Sequence, residues 1–273
     1  MTTHSRYGRR RSGPFLQRLS VGALILFGLA GSARSDWSPG NQPNPQKILN
    51  EAHGDARAGR YADALAKHVW FHENALQYAP AMSGVRLSFA LSYWVTLGEA
   101  YPPALEKLKA VRDEAERNVR ADKDAGQSFR DLAAINRELK EVEKTKELFV
   151  WLDANNPRMA TAVFRTARPS LVEAKEYALC GKYLDPDRTF ERELRFYTEH
   201  KTRATEENTK EFRNFVEKSF TNEVATLVAI LVVNGRQADA ERIAGKAREA
   251  WDDRAFREAI DRAMKGEVPR PWP

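Results

Sequence analysis

After residue 45 the apolar positions of the chain recur at three- and four-residue intervals, and no stretch sustains the two-residue alternation of a half-buried strand. The pattern predicts an all-α protein. From Tyr61, the residues Ala64, Leu65, His68, His72, Ala75, Leu76 and Ala79 fall within one stripe at 100° per residue, flanked by Val69 and Phe71. An apolar arc that wide must be covered by neighbours on both sides, as in a stacked array of helices. Polar–proline pairs mark helix starts. Asn44-Pro45, Asn156-Pro157 and Asp185-Pro186 each put a capping side chain before a proline that suits the first helical position. Ser128 with Asp131, and Ser170 with Glu173, have capping-box spacing and predict two more starts.

A short signal recurs between the predicted helices. It reads Gly59-Arg60-Tyr61, Leu97-Gly98-Glu99-Ala100-Tyr101, Leu139-Lys140-Glu141-Val142, Cys180-Gly181-Lys182-Tyr183 and Asn234-Gly235-Arg236-Gln237, at intervals of 39, 42, 41 and 54 residues. Glycine lets a chain leave a helix in a left-handed cap, and the alanines that follow (Ala64, Ala104, Ala240) let the next helix approach closely. The signal resembles the tetratricopeptide repeat, whose second helix is entered through Gly-x-Tyr-x-x-Ala. The clearest units are 45–79, 126–157 and 221–252. In the middle one, Phe129, Leu132, Ala133, Asn136, Leu139, Val142, Thr145, Phe149, Leu152 and Pro157 fall on the main pattern positions in register, with Phe in place of the first Trp. The resemblance implies an α-solenoid of antiparallel helix pairs, a right-handed superhelix over residues 46–265, with ligands on the inner face of the first helices. The block 68–108 also resembles exported bacterial helical proteins of no assigned activity.

Charge sharpens this picture. The chain has 273 residues, with 44 Lys and Arg against 38 Asp and Glu, a formal net charge of +6. Arg6, Arg9, Arg10, Arg11, Arg18 and Arg34 all lie in the first 35 residues, which hold no acid, so the remainder is charge-balanced. Charge runs such as 107–124 and 138–147 mix both signs and read as solvated helix faces, which disfavours nucleic acid as a partner. Residues 1–35 have the build of a secretory signal peptide: arginines, then the apolar run Leu19 to Ala30, then small residues suited to cleavage after Ala33 or Ser35. That run is too short for a comfortable span of a bilayer core of about 30 Å. The expectation is an exported protein, periplasmic or extracellular, tethered to the membrane only if the leader stays uncut and without a stable span afterwards. Residues 36–45 form a linker and 266–273 a tail.

Chemistry-bearing residues are few. His68 and His72, at i and i+4, could share a metal ion if a neighbour such as His53 supplied a third ligand. Both also lie on the stripe that a stacked helix buries, which makes hydrogen-bonded interhelical histidines the plainer reading. Cys180 is the one cysteine and reads as a small core residue. Between Tyr78 and Pro103, Phe89, Tyr93 and Leu97 read as a core stripe, leaving Trp94 as the exposed ring and Arg86 as its companion in a recognition groove. Arg130 and Arg137 match inner-face positions of the middle unit and could meet a carboxylate. Ala225, Ala229 and Val232 make the matching strip of the last unit greasy, and a basic-plus-asparagine clamp is absent from both units.

The chain has no Gly-rich phosphate loop, Gly-x-Ser-x-Gly, His-Glu-x-x-His or Cys-x-x-Cys. The leading expectation is therefore a helical-repeat scaffold that binds a protein or peptide, with no catalysis and no cofactor. Two alternatives are a metal-dependent envelope enzyme centred on His68 and His72, and a purely structural envelope component.

Overall fold

The computed structural model describes residues 35–203 and 210–272. The leader expected over 1–35 lies outside the described residues, except for Ser35. Among them the regular structure is helical and no strand occurs. In chain order the helices are α1 (Pro45–Arg57), α2 (Tyr61–Tyr78), α3 (Ser83–Arg86, after a single 3-10 turn), α4 (Phe89–Ala100), α5 (Pro102–Arg120), α6 (Ala125–Glu138) and α7 (Val142–Asn155). They continue as α8 (Pro157–Glu173), α9 (Tyr177–Tyr183), α10 (Pro186–Arg203), α11 (Lys210–Val233), α12 (Gln237–Ala250) and α13 (Arg254–Ala263). No described helix is long and apolar enough to cross a membrane.

The three polar–proline starts behave as their chemistry demands. The side chains of Asn44, Asn156 and Asp185 accept from the backbone N–H of Lys47, Met159 and Arg188, at 3.0, 3.1 and 3.0 Å. The two capping boxes do not form. Ser128 is buried within α6, which begins three residues earlier at Ala125, and Ser170 lies in the last turns of α8, which runs through Pro169. In both cases an apolar face continuous across the serine outweighs its capping preference.

Six helix ends follow one rule. The N–H groups of Arg60, Lys123, Glu141, Glu176, Arg236 and Glu267 each reach back five residues to a carbonyl of the helix just completed. Each closure needs a left-handed residue immediately before it, and these are Gly59, Asp122, Lys140, Lys175, Gly235 and Gly266, with φ between 55° and 82°. Two of the expected turns are therefore misplaced. Gly181 lies inside α9, and the turn before that helix is made by Lys175. Gly98 lies inside α4. Both glycines answer to close packing: a Cβ would lie 2.9 Å from Leu105 Cβ at Gly98, and 2.4 Å from the Asn234 side chain at Gly181.

Past each turn a small residue is fully buried: Ala64, Ala104, Thr145, Cys180 and Ala240. Four residues further on stand His68, Leu108, Phe149, Leu184 and Ala244, none more than 5% exposed. A histidine thus fills a place that is apolar in the other four helices, and Cys180 takes the place of an alanine. The main helix contacts join elements close in sequence, such as α1 with α2, α4 with α5, α5 with α6, α6 with α8, α9 with α11 and α11 with α13. One cluster of buried side chains centres on Leu91, Trp94, Leu108 and Ile135, and a larger one, built around Phe129, Phe149, Phe220 and Phe256, carries the C-terminal half.

Candidate functional site

Four of the six residues singled out in the sequence meet in one cluster. Trp94 is 1% exposed, so the expectation of an open ring is corrected. Its indole N–H donates to the Ala104 carbonyl at 2.9 Å, and its ring stacks on His68 and meets His72 edge-on, with centroids 5.9 and 6.1 Å apart. Phe89 and Tyr93, expected in the core, are 65% and 37% exposed, and Tyr93 packs against His53 at 4.7 Å. The buried stripe of α4 is Ala90, Leu91, Trp94, Leu97 and Gly98, one position on from the expected one, a rotation of 100°.

Arg86 is buried, and together with His72 and Asp131 it lines a cleft of about 450 Å³ between α2, α5 and α6. Its guanidinium holds Asp131 through two bonds of 2.6 and 2.8 Å, and Gln127 adds a third to the same carboxylate at 2.7 Å. Arg86 Nε donates to the His72 carbonyl at 2.6 Å, and its Nη2 lies 3.2 Å from His72 Nε2. A guanidinium has only donors, so His72 Nε2 accepts and the ring proton is assigned to Nδ1, which is buried without an acceptor. His68 Nε2 is buried and unpartnered as well. Burial pushes both histidines down to about 4, helped at His68 by the nearby His53 and at His72 by Arg86, with Asp131 opposing. The interhelical hydrogen bond expected of His68 is therefore not made. Among the described residues no three His, Cys, Asp or Glu side chains gather around one point suited to a metal ion, and Arg86 places a fixed cation against His72 Nε2.

Arg130 and Arg137 stand apart, exposed on α6. Arg130 donates to Gln127 at 2.8 Å, while Arg137 reaches the Leu87 carbonyl at 2.6 Å and secures the junction of α3 and α4. On α11, Ala225 and Ala229 are buried in the core rather than lining an open strip.

The feature that sequence reasoning missed lies between α8 and α10. A cleft of about 710 Å³ is lined by Arg165 from α8 and by Arg188, Arg192 and Arg195 from α10, against two acids, Asp185 and Glu191. The α10 arginines share one face by helical spacing, and Glu193 meets Arg192 at 2.8 Å. Arg165, Arg188 and Arg195 form no ion pair with any described residue. Cys180 is buried, and burial pushes its thiol up to about 12, away from the thiolate form. The readable signal was the Arg188–Arg192–Arg195 stripe, masked in the sequence by Glu191 and Glu193 between its members. Unpaired fork-shaped donors in this arrangement suit the geometry of carboxylates and phosphates. No protein-family model, curated protein or solved structure matches the chain.

Proposed function

We propose that this protein is an exported, tetratricopeptide-like α-solenoid that binds a carboxylate-rich segment of another protein in its arginine cleft, without catalysis. Helix contacts that run between near neighbours along the chain support the solenoid reading. The arginine-rich leader supports export. One observation carries the function: four arginines line a cleft of about 710 Å³, and three of them lack an ionic partner among the described residues. The arginines of the cleft belong to a chain that is charge-balanced after residue 35, so they form a local patch, which suits a short acidic segment better than the long phosphate track of a nucleic acid.

The test is fluorescence anisotropy of a labelled deca-glutamate peptide with the mature chain, and with an Arg188→Glu/Arg192→Glu variant. Each Arg–carboxylate contact in a half-enclosed cleft contributes on the order of 1 kcal/mol. The double reversal is expected to weaken binding by tenfold or more, with an unchanged helical spectrum. Raised salt should weaken the unmodified protein in parallel. Equal affinity of the two proteins would sink the proposal, and so would self-assembly of the mature chain with no affinity for acidic segments.

A further inference from the structure

The last residues of the chain occupy a second surface. After Gly266 closes α13, Pro269 and Pro271 bar a helix and hold the segment extended. It lies across a narrow groove between α8 and α11, lined by Pro169, Val172, Asn222 and Thr226, with the buried Arg168 and its half-buried partner Glu223 alongside. Asn222 reads the backbone of the tail on either side of Pro271. Its amide Nδ2 donates to the Arg270 carbonyl at 2.8 Å, and its Oδ1 accepts from the Trp272 N–H at 3.2 Å. One planar amide therefore satisfies both free backbone groups flanking a proline. The Trp272 ring enters the groove, with Lys218 Nζ 5.8 Å from its centroid.

We infer that this groove is a docking site for an extended, proline-flanked aromatic segment of a partner protein, and that the chain's own segment 270–272 fills it in cis as a displaceable latch. The backbone contacts specify an extended strand whatever its side chains, while the proline spacing and the ring supply the selectivity. The seated tail shows which chemistry fits. The seated tail fits incompletely, since the Trp272 indole N–H is buried and meets no acceptor, and a hydrogen bond is left unmade. The tethered tail competes at an effective concentration near the millimolar range, which lowers the apparent affinity for any partner until it is released. The site is independent of the arginine cleft, because Asn222 and Trp272 take no part there.

The test uses a labelled peptide with the sequence of residues 268–273, Val-Pro-Arg-Pro-Trp-Pro, and follows its anisotropy. The full chain is expected to bind it weakly, and a chain lacking 269–273 to bind it roughly tenfold more tightly. Trp272→Ala in the full chain, which leaves the backbone intact, should show part of that gain if the truncation fails to fold. Adding Asn222→Ala to either opened chain should abolish the gain, and a Val-Pro-Arg-Pro-Ala-Pro peptide should not bind. The inference is overturned if the opened, natively helical chains bind the peptide no better than the full chain, or if Asn222→Ala leaves their binding unchanged. The Arg188→Glu/Arg192→Glu variant should retain this binding, so failure in the cleft and failure in the groove read out separately.

Discussion

His68 offers the sharpest test of how this fold is held together. It stands where the matching helices carry Leu108, Phe149, Leu184 and Ala244, it is 2% exposed, and its Nε2 has no partner. A buried polar atom without a hydrogen bond costs about 1–3 kcal/mol. His68→Leu removes that atom at nearly constant volume. The variant is therefore expected to be more stable than the parent by about 1–2 kcal/mol at pH 7.5, after allowance for the lost stacking on Trp94.

The second consequence is a pH dependence. The folded imidazole is held down to about 4 by burial, whereas the unfolded one titrates near 6.5. Between those values the unfolded state binds the proton and the folded state does not, so stability falls as pH falls through this window. From pH 7.5 to pH 5 the loss attributable to His68 is about 2 kcal/mol. His72, held equally low, contributes a similar slope of its own. Urea unfolding followed by circular dichroism at the two pH values measures both effects. The His68→Leu curve should lie above the parent at pH 7.5, and the gap should widen by about 2 kcal/mol at pH 5. A variant less stable than the parent at pH 7.5, with an unchanged pH slope, would refute the assignment of His68 as a neutral, unsatisfied core residue.

Two further outcomes follow from other parts of the fold. Asp131→Asn keeps the shape but leaves the buried Arg86 guanidinium without its counter-charge, and should cost about 3–5 kcal/mol in the same assay; pairing it with Arg86→Met should recover much of the loss. Lys175→Gly relieves a left-handed residue that carries a Cβ, and should raise stability by about 1 kcal/mol, whereas Gly235→Ala, at φ 71°, should lower it by a comparable amount in thermal unfolding.

The helices were legible because their starts are local. A polar side chain before proline needs only three residues to act, and all three such starts formed. The turns were half legible, since glycine serves two ends that look alike in a sequence. At Gly59 and Gly235 it supplies positive φ, while at Gly98 and Gly181 it makes room for another helix. Conversely, Lys175 adopts the left-handed turn without the residue that would announce it. The cluster of Arg86, His72 and Trp94 was legible as a group of chemistry-bearing residues, but not in its role. The partner that fixes that role, Asp131, comes from 45 positions away. Reading the α4 stripe one residue early also exchanged Trp94 for Phe89 and Tyr93. On a helix apolar nearly all round, the sequence holds no polar face to set the rotation.

Both proposed binding surfaces trace to α8, and its register explains why they adjoin. Arg165 and Arg168 are three residues apart, so they share one side of the helix one turn removed. Arg165 faces the cleft against α10, while Arg168 is buried and bonded to Glu223 on α11, beside the tail groove. Burial works against the charge of Arg168, and the nearby cations Arg192 and Arg165 add to that pressure, while Glu193 relieves it. Glu223 is therefore held by a cation that has few other acceptors, and this fixes α11 where Asn222, one residue earlier, can present its amide to the tail. The pairing of Arg168 with Glu223 joins α8 to α11 across 55 positions, which no local pattern displays.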